Sequence, residues 1–212
     1  MRTLLFLPLA AALASCSTAP GTAPGSGADH RGESAADMAR VSSVLKASMH
    51  DRGQAKMDRI ELDDVQRLCN QYADNPPAEQ AKRMEEAQLK AVRFPSGSLI
   101  GDWKAGEKIA QSGRGMTWSD KPGASGGSCY NCHQISPKEE AFGTIGPSLK
   151  GFARVRGNGP EIQRYVYGKI YNAKAYNACS HMPRFGHSGT LSEQQMKDLT
   201  ALLLDPASPV NQ

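Results

Sequence analysis

Apolar positions along this chain fall into short runs at helical spacing, separated by stretches rich in glycine and proline. Val41, Val44, Leu45 and Met49 share one helical face. Residues 60–72 carry a second helical pattern, and Pro76-Pro77 opens a third over 78–92, dense in strong helix formers. Trp103 and Ile109 mark a helix over 102–111. Gly159-Pro160 starts another through Ile162, Tyr165, Val166 and Ile170. The last begins around 190–193, runs through Leu191, Gln195, Leu199, Leu202 and Leu203, and stops at Asp205-Pro206. The pattern predicts an all-α protein. Residues 37–94 have few aromatics and many charges, so they read as a helical extension packed on the next domain or on a partner. The domain itself runs over 95–212.

The N-terminus adds export to the picture. Met1-Arg2 is a short positive region and 4–14 an apolar run, too short for a membrane span of about 20 residues. It ends in Leu13-Ala14-Ser15-Cys16, which resembles a bacterial lipobox: residues 1–15 are read as a signal peptide and Cys16 as the lipidation candidate. The alternative is ordinary cleavage nearby, with Cys16 discarded or left as a thiol. Residues 16–36, rich in Ser, Thr, Ala, Pro and Gly, read as a flexible tether. The expected location is the periplasm, with anchorage to a membrane through a lipidated Cys16. A net charge of +4, spread along the chain, is not a nucleic-acid footprint.

Candidate chemistry centres on C-Y-N-C-H at 129–133. C-x-x-C-H is the c-type haem attachment sequence. Cys129 and Cys132 can reach the two vinyl groups on one haem edge, and His133 is then held beneath the ring as proximal ligand. A redox dithiol or half of a zinc site is the competing reading. No second Cys/His pair stands at zinc spacing, and no strand precedes the motif. One covalent haem c is therefore expected, supplying a large apolar share of a small core.

A six-coordinate iron needs a second axial group. Met182-Pro183 lies in a loop punctuated by Pro and Gly ahead of the last helix, where its sulfur can be held facing the ring. Thioether ligation favours ferrous iron and raises the potential. His181 and His187 are the rivals; Met196, beside Leu199 and Leu203, reads as core. The carbonyl of Pro147 is placed to accept the Nδ1 proton of His133 and fix its tautomer. Arg154 or Arg156 is a partner for a haem propionate, with a solvated surface arginine as the alternative.

The chain has five cysteines. Those outside the motif and the lipobox are Cys69 and Cys179, and in an oxidising compartment an even remainder suggests a disulfide. It would staple the extension to the loop carrying Met182. Two free thiols, or Cys179 as an iron ligand, are the alternatives.

These segments together resemble a known family. C-Y-N-C-H at 129–133, G-T-I-G-P-S-L at 143–149, M-P-R-F-G at 182–186 and the tail D-P-A-S-P-V-N at 205–211 are similar to SoxX, the monohaem cytochrome subunit of SoxAX in bacterial sulfur oxidation. The resemblance covers about 95–212. It implies a class I cytochrome c fold, here with an N-terminal helical extension, and His133 and Met182 as axial ligands. It also implies a heterodimer with a SoxA-like haem subunit that couples thiosulfate oxidatively to a cysteine of a SoxYZ-like carrier protein, an L-cysteine S-thiosulfotransferase. In that scheme the sulfur chemistry sits on the partner and this chain passes electrons to a soluble cytochrome c. The extension and the lipobox depart from a compact, soluble SoxX. A free-standing periplasmic monohaem carrier is the alternative function, and a haem-based sensor with a displaceable ligand is a third.

Overall fold

The computed structural model describes residues 34–121 and 123–212. The predicted signal peptide, Cys16 and nearly all of the predicted tether lie outside the described residues. Within them every regular element is helical: α1 (Ala35–Ser48), α2 (Asp64–Gln71), α3 (Ala78–Lys90), α4 (Trp103–Gln111), α5 (Phe152–Arg156), α6 (Pro160–Tyr171) and α7 (Glu193–Leu204). Single 3₁₀ turns stand at Met57–Ile60, Cys129–Asn131, Ala173–Ala175 and Pro209–Asn211. The described residues are all-α.

Caps decide where these helices begin. Ser192 accepts from the Gln195 N–H while the Gln195 side chain accepts from the Ser192 N–H, a reciprocal box that opens α7. Asp63 and Gln66 form the same box at α2. That cap explains why the second helix is shorter than its 60–72 pattern: the chain turns at Met57–Ile60 and restarts after Asp63. Asp102 caps α4, and Pro160 occupies the first turn of α6, where a missing N–H costs nothing.

Helices α4 and α7 cross at very close range. A Cβ at Gly106 would overlap the Asp198 carbonyl and stand 3.0 Å from the Leu202 Cβ, so only glycine admits this approach. The buried Asp198 carboxylate is satisfied at the same crossing, accepting from the Asp102 N–H at 2.9 Å and from Gln194 Nε2 at 2.8 Å. Leu199, Leu202, Met196, Tyr167, Ile170 and Phe185 fill the core that α6, α7 and the 182–186 loop share with α4. Each such side chain contributes about 1.5–3 kcal/mol on full burial. The C-terminal tail seals one end. Ser208 Oγ donates to the Leu202 carbonyl at 2.5 Å, and Asn211 Nδ2 donates to Leu203 and Asp205 carbonyls at 3.1 and 2.9 Å. Asn211 Oδ1 accepts from the Ala153 N–H of α5 at 3.0 Å.

The extension behaves in two ways. Helices α2 and α3 pack, forming with the 178–179 segment a small second cluster of Val65, Cys69, Ala81, Met84, Ala178 and Cys179. Helix α1 buries nothing: Val41 and Val44 on the predicted apolar face are 48% and 59% exposed. Only its Met38–Ser42–Leu45 edge is half-buried. The periodicity marks a helix there but not a packed one.

Candidate functional site

The motif cysteines sit on the Cys129–Asn131 turn, entered through Ser128 in the left-handed region, φ 49°. The Cys129 carbonyl accepts from the N–H groups of Cys132 at 3.1 Å and His133 at 3.0 Å, which winds the segment into one compact turn. The Gly127 N–H, donating to Ile109 at 2.8 Å, hangs that turn from α4. Both Cys129 and Cys132 are free, half-buried thiols. Burial pushes the Cys129 thiol up to about 12. A sulfur so placed suits an uncharged state, whether thiol or thioether, better than a thiolate.

The 143–149 loop is laid over the motif by a ladder of backbone bonds. Gly143, Gly146 and Leu149 donate to the carbonyls of Tyr130, Cys132 and Gln134 at 2.8, 2.8 and 2.7 Å. The ladder delivers the Pro147 carbonyl to within 2.7 Å of His133 Nδ1. A carbonyl only accepts, so the proton is on Nδ1 and the Nε2 lone pair is available for a metal. Gly146 lies flat on the imidazole: a Cβ there would overlap the ring at Cε1, Nδ1 and Nε2. Hydrogen bond and close contact together fix tautomer and ring plane.

Met182 is half-buried and packs against the main core, its N–H donating to Ser180 Oγ at 3.3 Å. The rivals are occupied otherwise. His181 is exposed with Nε2 3.0 Å from Asp74 Oδ2, and His187 Nε2 stands 4.0 Å from Asp63 Oδ2. Met196 is 3% exposed on the inner face of α7. Arg154 is exposed in the last turn of α5, its guanidinium folded over Gly151, and it forms no ion pair among the described residues. Arg156 is likewise exposed.

Cys69 and Cys179 are joined by a disulfide, with Cα atoms 5.5 Å apart. That withdraws Cys179 as a ligand. Sequence reasoning missed the polar partners around this staple. Arg184 Nη1 meets Asp63 Oδ2 at 2.5 Å, Ala178 N–H donates to Glu85 at 3.0 Å, and Asn172 Nδ2 donates to Gln88 at 2.8 Å. It also missed a second set, in which Arg52 stacks on Trp118 at 3.3 Å and Gln54 Nε2 donates to Gly115 and Thr117 carbonyls at 2.9 Å. The D-x-x-Q box at 63–66 and the arginine inside M-P-R-F-G were the available signals.

The class these features define is an all-α protein with a C-x-x-C-H turn and an oriented imidazole. No protein-family model matches the chain. It is 38% identical over 128 residues to an uncharacterized lipoprotein of Aquifex aeolicus (strain VF5), covering 58% of this chain and 60% of that relative's length. The crystal structure of SoxXA from P. pantotrophus is 26% identical over 55% of this chain and 95% of its own, with a TM-score of 0.38. No described helix is long and apolar enough to cross a membrane.

Proposed function

We propose that this chain is a covalent haem c electron-transfer protein acting as the monohaem subunit of a SoxAX-like heterodimer. The observation that carries the haem reading is the His133 Nδ1–Pro147 carbonyl contact of 2.7 Å beside two free motif cysteines. Cys129 and Cys132 would hold the haem by thioethers, His133 Nε2 and the Met182 sulfur would bind its iron, and Arg154 would pair with a propionate. Bound haem would supply one-electron redox chemistry. The remaining work belongs to the chain. Pro147 raises the basicity of His133, Gly146 keeps its ring from turning, and the soft Met182 sulfur favours the ferrous state.

The narrower role rests on the sequence resemblance. The 205–211 tail is accounted for by its caps on α7 and α5, so M-P-R-F-G at 182–186 carries more of that argument. In this reading a SoxA-like partner couples thiosulfate to a SoxYZ-like carrier, and this chain passes the electrons to a soluble cytochrome c. A periplasmic site with a lipid anchor at Cys16 belongs to the same reading, and the lipoprotein relative supports it. The test is affinity capture of the tagged protein from its native membranes and periplasm, then haem-stained denaturing electrophoresis. A second haem band at equal stoichiometry, with reduction that depends on thiosulfate and carrier, is expected. A lone haem protein would favour the free-standing carrier, and an unstained one would remove haem altogether.

A further inference from the structure

The 172–184 segment, which carries Met182, is fastened to the extension on both sides of the methionine. Before it, the Cys69–Cys179 disulfide joins the segment to α2, and His181 reaches Asp74 at 3.0 Å. The Ala178 N–H and Asn172 side chain add hydrogen bonds to Glu85 and Gln88 of α3. After it, Arg184 closes on Asp63 at 2.5 Å with only 13% of its side chain exposed. The Arg184 Nη1 also lies 3.5 Å from Gln88 Oε1, the acceptor that Asn172 uses. So short a loop, closed at Cys179 and again at Arg184, leaves Met182 little freedom to swing.

The two closures differ in kind. A disulfide fixes the backbone at Cys179 but leaves the chain beyond it free to rotate about Met182. The Arg184–Asp63 contact supplies a side-chain fixed point two residues beyond the methionine, ahead of the buried Phe185 and the Gly186 and His187 N–H bonds to the Tyr171 carbonyl that fasten the loop to α6. Nor does Asp63 exist to hold Arg184 alone: its other oxygen caps α2, so the partner is itself immobilised by helix formation.

We infer that Asp63 and Arg184 are positioning residues which, together with the Cys69–Cys179 disulfide, form a two-point clasp that sets how firmly Met182 occupies its iron position. This rests on the reading of Met182 as axial ligand. The extension is thereby part of the redox site: it acts on the methionine side of the iron, while Pro147 and Gly146 act on the histidine side. Ligand exchange at an oxidised iron requires the methionine to move away, and the clasp opposes whatever part of that movement the backbone between Cys179 and Arg184 makes. Weakening the clasp therefore raises the population of open iron without removing the ligand.

The experiment uses the full-length holoprotein and its Asp63→Asn, Arg184→Gln and doubly substituted forms. Asparagine keeps a capping oxygen for α2 while removing the charge, so Asp63→Asn should fold. The readouts are the methionine–iron charge-transfer band at the red end of the oxidised spectrum, imidazole affinity of the ferric protein, and amide exchange over 178–186. Either single change should tighten imidazole binding about tenfold, about 1.4 kcal/mol. The double change should add little, because both remove one interaction. Ser192→Ala, which removes the α7 cap, is the control: it lowers overall stability and should leave imidazole affinity unchanged. With the band present in the wild type, imidazole affinity and exchange unaltered by Asp63→Asn and Arg184→Gln overturn the clasp. An equal rise in affinity for Ser192→Ala does so too. A wild-type spectrum without the band overturns the ligand assignment itself and the clasp with it.

Discussion

The Asp63 carboxylate divides its oxygens between two elements far apart in the chain. Oδ1 accepts from the Gln66 N–H at 3.0 Å and starts α2, while Oδ2 meets Arg184 Nη1 at 2.5 Å, across 121 residues. One side chain thus both begins a helix of the extension and holds the loop that presents Met182. Exposed ion pairs typically contribute about 0–1 kcal/mol. This one has a guanidinium largely withdrawn from water and a carboxylate already fixed by its cap, so less side-chain freedom is lost in forming it.

Acid should release that contact. Burial alone would raise the Asp63 pKa, but the Gln66 N–H and the hydrogen bond and charge of Arg184, with a smaller contribution from His187, hold it below the ordinary value. An unfolded Asp titrates near about 3.9. A depressed carboxyl pKa means the unfolded chain binds the proton first, so the contribution is whole above about pH 4 and fades as pH falls through the folded value. Thermal unfolding of the holoprotein and Asp63→Asn should show a melting gap that is constant near neutrality and narrows below about pH 4. A gap that persisted unchanged into strong acid would show that charge is not its source.

Gly146→Ala should damage the histidine side of the site. The added methyl would overlap the His133 ring, and the neighbours are backbone-bonded on both sides, with Gly146 N–H donating to Cys132 at 2.8 Å. Forced overpacking of this kind costs about 1–3 kcal/mol. Haem-stained protein should fall in yield, and what remains should show a lowered melting temperature and an altered Soret position. Wild-type spectrum and stability would mean the loop moves aside freely.

The helices were legible where their signals are local. The last helix declares itself through Ser192, its apolar period and Asp205-Pro206. The extension was not legible in the same way. Val41 and Val44 have the period of a packed face yet remain exposed, because periodicity reports what could be buried and not whether a surface is there to bury it. The clasp was hidden for another reason. Arg184, Asp63, Gln88 and Glu85 are polar residues paired across 84 to 121 positions, and no local pattern links them. Cysteine parity suggested one connection between the extension and the Met182 loop; the others are visible only in three dimensions.

Loss of the Cys69–Cys179 bridge should lower stability without unfolding the domain. It spans 110 positions, and a loop near that length is worth at most about 4.7 kcal/mol on the chain-entropy model. Cys69→Ser/Cys179→Ser should cost about 2–4 kcal/mol, or about 5–15 °C in melting temperature. Non-reducing peptide mapping should recover the two peptides joined in the wild type. Two alkylated thiols there would remove the bridge.

Asn211→Ala tests the tail as a structural seal. Its side chain makes three hydrogen bonds to backbone at 2.9–3.1 Å, joining the end of α7 to the start of α5. The residue is 7% exposed, so truncation strands buried groups at a cost of about 1–3 kcal/mol. The melting temperature should drop while the haem spectrum and the imidazole affinity stay as they are. A spectral change would mean that the tail communicates with the site, through Ala153 and Gly151 beside Arg154.

Met182→Ala is the most direct test of the ligand set. Met182 packs against the main core and is half-buried, so truncation removes both a sulfur donor and some apolar contact. Cys129, Cys132 and His133 lie on a separate turn held by Pro147 and α4, so attachment should survive. The haem-stained band should keep its intensity, the methionine–iron band should vanish, and the reduction potential should fall as a soft donor is lost. Imidazole should bind far more tightly than in any clasp variant, because the competing ligand is absent rather than loosened. His181 and His187 are drawn toward Asp74 and Asp63, which makes neither a ready substitute. If the spectrum of Met182→Ala matched the wild type, iron would be held by another residue, and those two histidines would be the next to replace.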